Sequence, residues 1–424
     1  MATAHTLSTL DGLFKRVYGD RPEKVIPDFA RLQKEIPFST KVKLGDRFEV
    51  PVILQNEQGV TYANPASDGA FTLSAVVTGA TKPAYVSPYE ICLRSAIAYS
   101  AAFQAQGNNE ASFANSTSLM VESMIETLRK RLEVSMLGYG RTSLGENSGT
   151  PTTAGVCTIS AASWAPGIWM GMEGAYVEVF DATTGTDTLR LNVGGVTGER
   201  YITAVDLVNR TITLNDVTNI ADGDHFYFRT ERTATAWKDF VGLDSIATDA
   251  TLFGITVASY SGWQPTAYAV GGTDLSVDAI QKAAARLTIK GADGKLLCLI
   301  SPRTWANVCN DLAALVQYND NAGSKYEIGA EKMLVHSPYG QISIEPHAMI
   351  KEGEGFILQP KRFSRFGATD VTFRRPQPEG AKLPESFFTE LSDKAGYEIR
   401  AYANQCMFCS KPGSVLKFTG ITNS

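Results

Sequence analysis

Lys43 to Asn64 reads KLGDRFEVPVILQNEQGVTYAN. Phe48, Val50 and Val52 alternate with Arg47, Glu49 and Pro51, Asn56-Glu57-Gln58-Gly59 supplies turn residues, and Val60 and Tyr62 resume the alternation. Period-two patterning broken by a turn cluster is the signature of a hairpin. Phe71, Leu73, Ala75 and Val77 repeat the pattern before Gly79, so a second strand is expected there. A two-stranded excursion is marginal in water on its own, and this one is expected to take burial from a neighbouring subunit.

Upstream, residues 1 to 38 mix charges with scattered apolar side chains and read as an extended arm with one short helix near Ser8 to Tyr18. Downstream, Val121, Met124, Ile125, Leu128 and Leu132 recur at helical spacing, with Glu122, Glu126, Arg129, Lys130 and Glu133 on the opposite face. That pattern predicts one long amphipathic helix over Asn115 to Leu137, stopped by Gly138-Tyr139-Gly140. Residues 152 to 232 change character to short alternating strands about ten residues apart, a spacing that suggests a small antiparallel β barrel or sandwich. An α/β alternation follows. Leu275 to Leu287 reads as a helix, Lys295 to Ile300 as a buried strand, and Ser301-Pro302 as the cap and first residue of a second helix. Met333 to Val335, Ile342 to Ile344, Gly355 to Leu358 and Val371 to Phe373 read as strands, and Tyr397 opens a C-terminal one.

The composition excludes several classes. The 424 residues hold 39 Lys+Arg against 44 Asp+Glu, a net charge of −5, which argues against a basic nucleic-acid footprint. The insertion carries five Arg, no Lys and ten acidic residues, so it accounts for the whole of that charge. No run approaches the roughly 18 apolar residues of a membrane span, and the N-terminus lacks a secretory pattern. The sequence therefore reads as a soluble, unexported chain whose six cysteines are reduced.

Catalytic patterns are missing. There is no GxSxG, HExxH or GxxxxGK[ST], and the four His are dispersed. Cys406-x-x-Cys409 reads as buried core thiols, because a strand sends those side chains to opposite faces and no second pair completes a zinc site. Asp222-Gly-Asp224 reads as a tight turn, since the further acceptors of a calcium loop are absent. The chain is not expected to be an enzyme, and no cofactor or metal is expected.

The order of arm, hairpin, long helix, β insertion and α/β domain is similar to the major capsid proteins of tailed bacteriophages, the Hong Kong 97-type fold. The segments that carry the likeness are the hairpin quoted above, SLMVESMIETLRKRLEVSMLGYG, AIQKAAARLTIKGADGKLLCLISPRTWANV, EGFILQPKRFSRFGATDVTF and GYEIRAYANQCMFCSKPGSVLKFTGI. The resemblance implies an α+β fold divided into an N-arm (1–38), an E-loop (39–86), a peripheral domain with its spine helix (87–151), the inserted β domain (152–232), and an axial domain with returning peripheral strands (233–424). It implies a head protein that assembles into hexamers and pentamers of an icosahedral shell around double-stranded DNA, contacted non-specifically. The implied intersubunit contacts on the E-loop are Arg47, Phe48, Val50, Gln58 and Tyr62, and the implied packing residues of the spine helix are Val121, Ile125, Leu128 and Leu132.

The same resemblance implies a portal protein, a separate scaffolding protein and a decoration protein on the outer face as partners, no membrane, assembly in the host cytoplasm and residence in the virion. Between Lys43 and Lys82 there is no Lys, so a shell without covalent crosslinks is expected. An acidic insertion would be repelled by packaged DNA, which favours the outside. An encapsulin-like compartment around a cargo enzyme, and a phage tail or receptor-binding structural protein, are the alternatives.

Overall fold

Leu296–Ile300 is buried along its whole length because it is a central strand covered on both faces. Leu296, Cys298 and Ile300 point into one core and Leu297 and Leu299 into another, the period of two that a strand imposes. The computed structural model describes residues 30–39, 47–64, 67, 69–100, 110–181, 188–192, 199–234, 236–313, 333–337, 340–373, 387–392 and 394–423. The short helix expected near Ser8 to Tyr18 lies outside them.

The strand belongs to a six-stranded mixed sheet in the order Thr266–Thr273, Leu416–Ile421, Gly355–Leu358, Leu296–Ile300, Gly340–Pro346, Met333–Ser337. Two helices, Val277–Ile289 and Pro302–Ala313, cover one face through Val277, Ile280, Ala283, Leu287 and Val308. Both begin where the sequence puts a cap. Ser276 Oγ accepts from the Ala279 amide and Ser301 Oγ from the Thr304 amide, each at 3.2 Å.

A second sheet is built around Gly396–Cys409, a 14-residue strand paired with Tyr89–Ala98 on one side and with Phe363–Thr372 and Thr389–Glu390 on the other. The strand expected at Val371 to Phe373 is thus the end of a longer one that begins at Phe363, and Tyr89–Ala98 was not anticipated. The long helix, Glu110–Leu137, starts five residues before the sequence pattern does and runs about 42 Å across this sheet. Met124 and Leu128 pack on Ile399 and Ala401.

The helix is amphipathic only in its first part. From Leu132 to Gly140 every residue is buried, including Glu133, which the periodicity assigned to the polar face. Gly138, with φ of +92°, ends the helix against the Asp244 amide, where any Cβ would come within 2.8 Å.

The part of the chain that includes residues 152 to 232 forms a seven-stranded sheet. Its strands run from Gly145–Glu146 to His225–Phe228 in the order Gly145–Glu146, His225–Phe228, Tyr176–Asp181, Arg200–Asp206, Thr211–Leu214, Val156–Thr158, all antiparallel, and Thr188–Leu189 pairs with Tyr176–Asp181. An Asn147–Ile159 bridge joins the first strand's end to the last. Its floor of Trp164, Trp169 and Phe226 is continuous with the main core, and Trp164 O and Ala162 O accept from the Glu352 and Gly353 amides at 2.9 Å. No helix among the described residues is long and apolar enough to cross a membrane.

Candidate assembly surface

The hairpin pairs Phe48–Gln55 with Ala80–Val86, in register from Phe48 opposite Val86 to Gln55 opposite Ala80. The return strand is therefore not Phe71 to Val77, whose alternation is an exposed connection. Phe48, Val50, Val52 and Leu54 turn inward onto the chain's own core, with Phe48 4.6 Å from the Phe366 ring. Tyr85 is fastened by its amide to Phe253 O at 3.0 Å, and Gly254 leaves room for its ring, since a Cβ there would fall 2.1 Å from it.

Pro51 and Pro83 stand directly opposite each other. Neither can donate to the ladder, so the pair sits where both missing amides face outward. Each free edge of the ribbon thus lacks a donor, which blunts strand addition along its sides.

Beyond Gln55 the character changes. Among the described residues from 56 to 79, Gln58 N donates to Val77 O at 3.1 Å and Ser74 N to Thr61 Oγ1 at 2.7 Å. Tyr62 is 92% exposed, Val76 84% and Leu73 75%, with Val60 and Phe71 beside them. Of the E-loop residues singled out by the sequence, Gln58 and Tyr62 lie on this open tip. Arg47 lies over Tyr85, at 5.0 Å, and pairs with Glu49. Phe48 and Val50 are half-buried in their own subunit, so the tip and not the base carries the free apolar surface.

The arm's end is clasped by a site that sequence reasoning missed. The short helix Leu32–Glu35 presents its N-terminus to Glu133, whose carboxylate accepts from the amides of Arg31, Leu32 and Gln33, from Gln33 Nε2, and from His347 Nε2 at 2.9 Å. The Met349 amide donates to His347 Nδ1, which leaves Nε2 as the protonated nitrogen. Arg31 also pairs with Glu345 at 2.8 Å, and Phe38 bridges to Arg365. One buried carboxylate therefore joins arm, long helix and central sheet. Val121 and Ile125 of the helix are half-buried, whereas Leu128 and Leu132 are fully buried.

Two further buried charges fix the scaffold. Lys417, on the last strand of the central sheet, bonds Asp244 and lies 2.8 Å from Glu354. Burial alone would lower its pKa, but the two carboxylates outweigh it and raise it. Inside the insertion Arg200, fully buried, donates to the carbonyls of Asp216, Arg190, Leu191 and Thr218. Burial lowers its pKa while the carbonyl set keeps the guanidinium satisfied.

The sequence's other candidates resolve simply. Asp224 is taken by a bidentate pair with Arg190, both bonds 2.9 Å, and Asp222 accepts from the Gly149 amide, so the Asp-Gly-Asp is a turn. Cys406 and Cys409 are buried, and burial pushes both thiols up to about 12. Among the described residues no group of three or more His, Cys, Asp or Glu could hold a metal ion.

An arm clasped to a long helix, a hairpin and the sheets described above make up a fold also found in solved capsid structures. The cyanophage A-1(L) capsid asymmetric unit matches 99% of this chain and 100% of its own chain, at 12% identity and a TM-score of 0.58. The capsid of the native GTA particle matches 99% and 100%, at 8% identity and a TM-score of 0.52. No family model matches the sequence, and no curated protein does. The fold is thus α+β and of the capsid type, as the resemblance to tailed-phage major capsid proteins implied.

Proposed function

We propose that this protein is the major subunit of a phage-type capsid and that its activity is self-assembly into a closed shell around double-stranded DNA. The observation that carries this reading is the hairpin tip, which sets apolar side chains in solvent on a framework of capsid fold. An exposed apolar patch of this kind marks a place where another molecule binds. A second copy offers a place of matching character, a groove where Lys34, Arg129 and Arg365 stand beside Ile125, Val371 and Phe373. Asp370, in the same groove, is held by Gln405. The tip has no Lys or Arg between Arg47 and Lys82 and carries Glu57, so the charges complement. Gln58 and Tyr62 are then intersubunit contacts, and hexamers and pentamers follow from repeating that contact around closed rings.

Electron microscopy of the purified chain tests the reading. Closed shells or capsomer rings are expected, and fibres or monomers alone at high concentration would refute it. Nucleic acid inside particles from infected cells separates a genome container from a compartment that encloses an enzyme.

The insertion is assigned to the outer face, where it would meet a decoration protein. Fewer of its acidic side chains face solvent than its composition suggests, because Asp181 and Asp224 pair with Arg190 and Glu231 is enclosed. Glu173, Glu199 and Asp222 remain at the surface, with Asp206 half-buried in its own turn. An epitope placed in the Val208-Asn209 turn, where Val208 is 89% exposed, is expected to bind antibody on intact, filled particles. Binding only to broken particles would place the insertion inside.

A further inference from the structure

Glu231 and Asp239 follow the last strand of the insertion, and each spends one oxygen on a nearby amide. Glu231 Oε2 accepts from Phe228 N at 3.0 Å and Asp239 Oδ1 from Phe240 N at 2.9 Å. The remaining oxygens meet at Gly140, just past the long helix. A Cβ there would sit 2.0 Å from Asp239 Oδ2 and 2.5 Å from Glu231 Oε1, so the two carboxyls face each other across the space that glycine leaves. Asp239 is buried, and its Oδ2 has no hydrogen-bond partner in the structure. Two ionised carboxylates in so enclosed a place repel, whereas one proton between them satisfies both oxygens.

We propose that Glu231 and Asp239 hold a single proton between them and that this proton is a latch, closing the connection that leaves the last strand of the insertion over Gly140, just past the long helix. The surrounding charges do not replace it. Arg131 of the long helix stacks 3.1 Å from the Phe228 ring centroid, and its Nη1 is a buried donor without a partner. Arg131 and Arg141 draw Glu231 and Asp239 down by less than burial raises them, and Arg141 also lies 3.8 Å from Asp249; Ser135 is a hydrogen-bonding neighbour of Asp239, and Glu178 of the flanking strand adds to the repulsion on Glu231. Lys238 lies nearby on the same connection and acts on Glu178, and Lys130 is directed to Met170 O. Burial first, and Asp239's charge second, push Glu231 well up from the usual carboxylate range, and burial pushes Asp239 up likewise.

Both folded values lie above the unfolded ones, so the native state holds more protons than the unfolded chain between them. The stability this proton supplies is therefore complete below the unfolded carboxylate values, falls progressively as pH rises from those to the raised folded values, and is level above them. It is a property of the single chain and does not depend on the shell.

Hydrogen exchange of the intact protein, corrected for the intrinsic rate, tests it between about pH 6 and pH 9. Amides of residues 225–234 and 131–142 are expected to lose protection by up to about tenfold per pH unit, the response to one proton, as pH rises toward the raised values, and to level off once these are passed. In Glu231→Gln the amide donates to Asp239 at every pH, so the slope should vanish, and Asp239→Asn should do the same. An unchanged slope in both variants would overturn the proposal. Should the variants fail to fold, infrared spectra of the wild-type protein decide. A protonated-carboxyl stretch that persists at neutral pH and disappears in alkali supports the latch, and its absence at neutral pH refutes it.

Discussion

A chain in which residues 57–78 are replaced by a two-residue turn is expected to fold, to keep its thermal unfolding transition, and to form no shells. The cut spares the paired strands Phe48–Gln55 and Ala80–Val86, whose inward side chains belong to the subunit's own core. It removes Val60, Tyr62, Phe71, Leu73 and Val76, which contribute nothing to the isolated subunit because they are in solvent. Covered by a neighbour, each would contribute about 1.5–3 kcal/mol, so the five together supply roughly 8–15 kcal/mol per contact before ordering costs. No single surface pair in the molecule offers as much. Light scattering and electron microscopy of the purified variant would show monomers or small oligomers, and closed particles would contradict the assignment of the tip. Removal of the paired strands as well would not be informative, because it opens the core around Phe366 and Phe408.

The contrast between base and tip marks where sequence reading succeeded and where it stopped. Strand Leu296–Ile300 and the cap Ser301 were legible because their causes are local: an apolar run too short for a helix, and a hydroxyl three residues before the amide it serves. Gly396–Cys409 was legible from its alternation. The return strand Ala80–Val86 was not, since Thr81, Lys82 and Pro83 have low apolar content and the better alternation lies at Phe71 to Val77. Exposure of that alternation makes sense once its partner is another molecule, and period-two patterning cannot say which chain provides the cover. Strands between Tyr176 and Phe228 were legible from their alternation, but the first strand of the sheet they belong to was not. Gly145–Glu146 is two residues long and is recognisable only by its pairing with His225–Phe228.

Glu133 shows the deeper limit. On a helical wheel it falls with Glu122 and Arg129 on the polar side, and nothing within ten residues says otherwise. Its burial is decided by Leu32 and Ile36, a hundred residues upstream, which bring the arm down over that face. The same is true of Glu231 and Asp239, ordinary surface letters until Gly140 is placed between them. Buried charges are set by tertiary partners, so the residues that fix arm and insertion to the frame were the ones hidden from pattern.

Glu133→Ala is accordingly expected to destabilise the subunit by about 3–5 kcal/mol, the cost of leaving buried partners of a charged group unsatisfied. Five donors lose their acceptor at once: three consecutive amides of the arm, Gln33 Nε2 and His347 Nε2. Water cannot replace them, because Glu133 is fully enclosed. Glu133→Gln should fall between, since its oxygen still accepts while its NH2 group faces donors. Glu122→Ala, on the exposed face of the same helix, provides the control and should change stability by no more than about 0.5 kcal/mol. Chemical denaturation measures the difference, and limited trypsin digestion locates it. Release of the arm makes the bonds after Arg31 and Lys34 cleavable, whereas wild-type protein and the Glu122 control stay protected there. If Glu133→Ala matched the control in both assays, the clasp would not be what holds the arm.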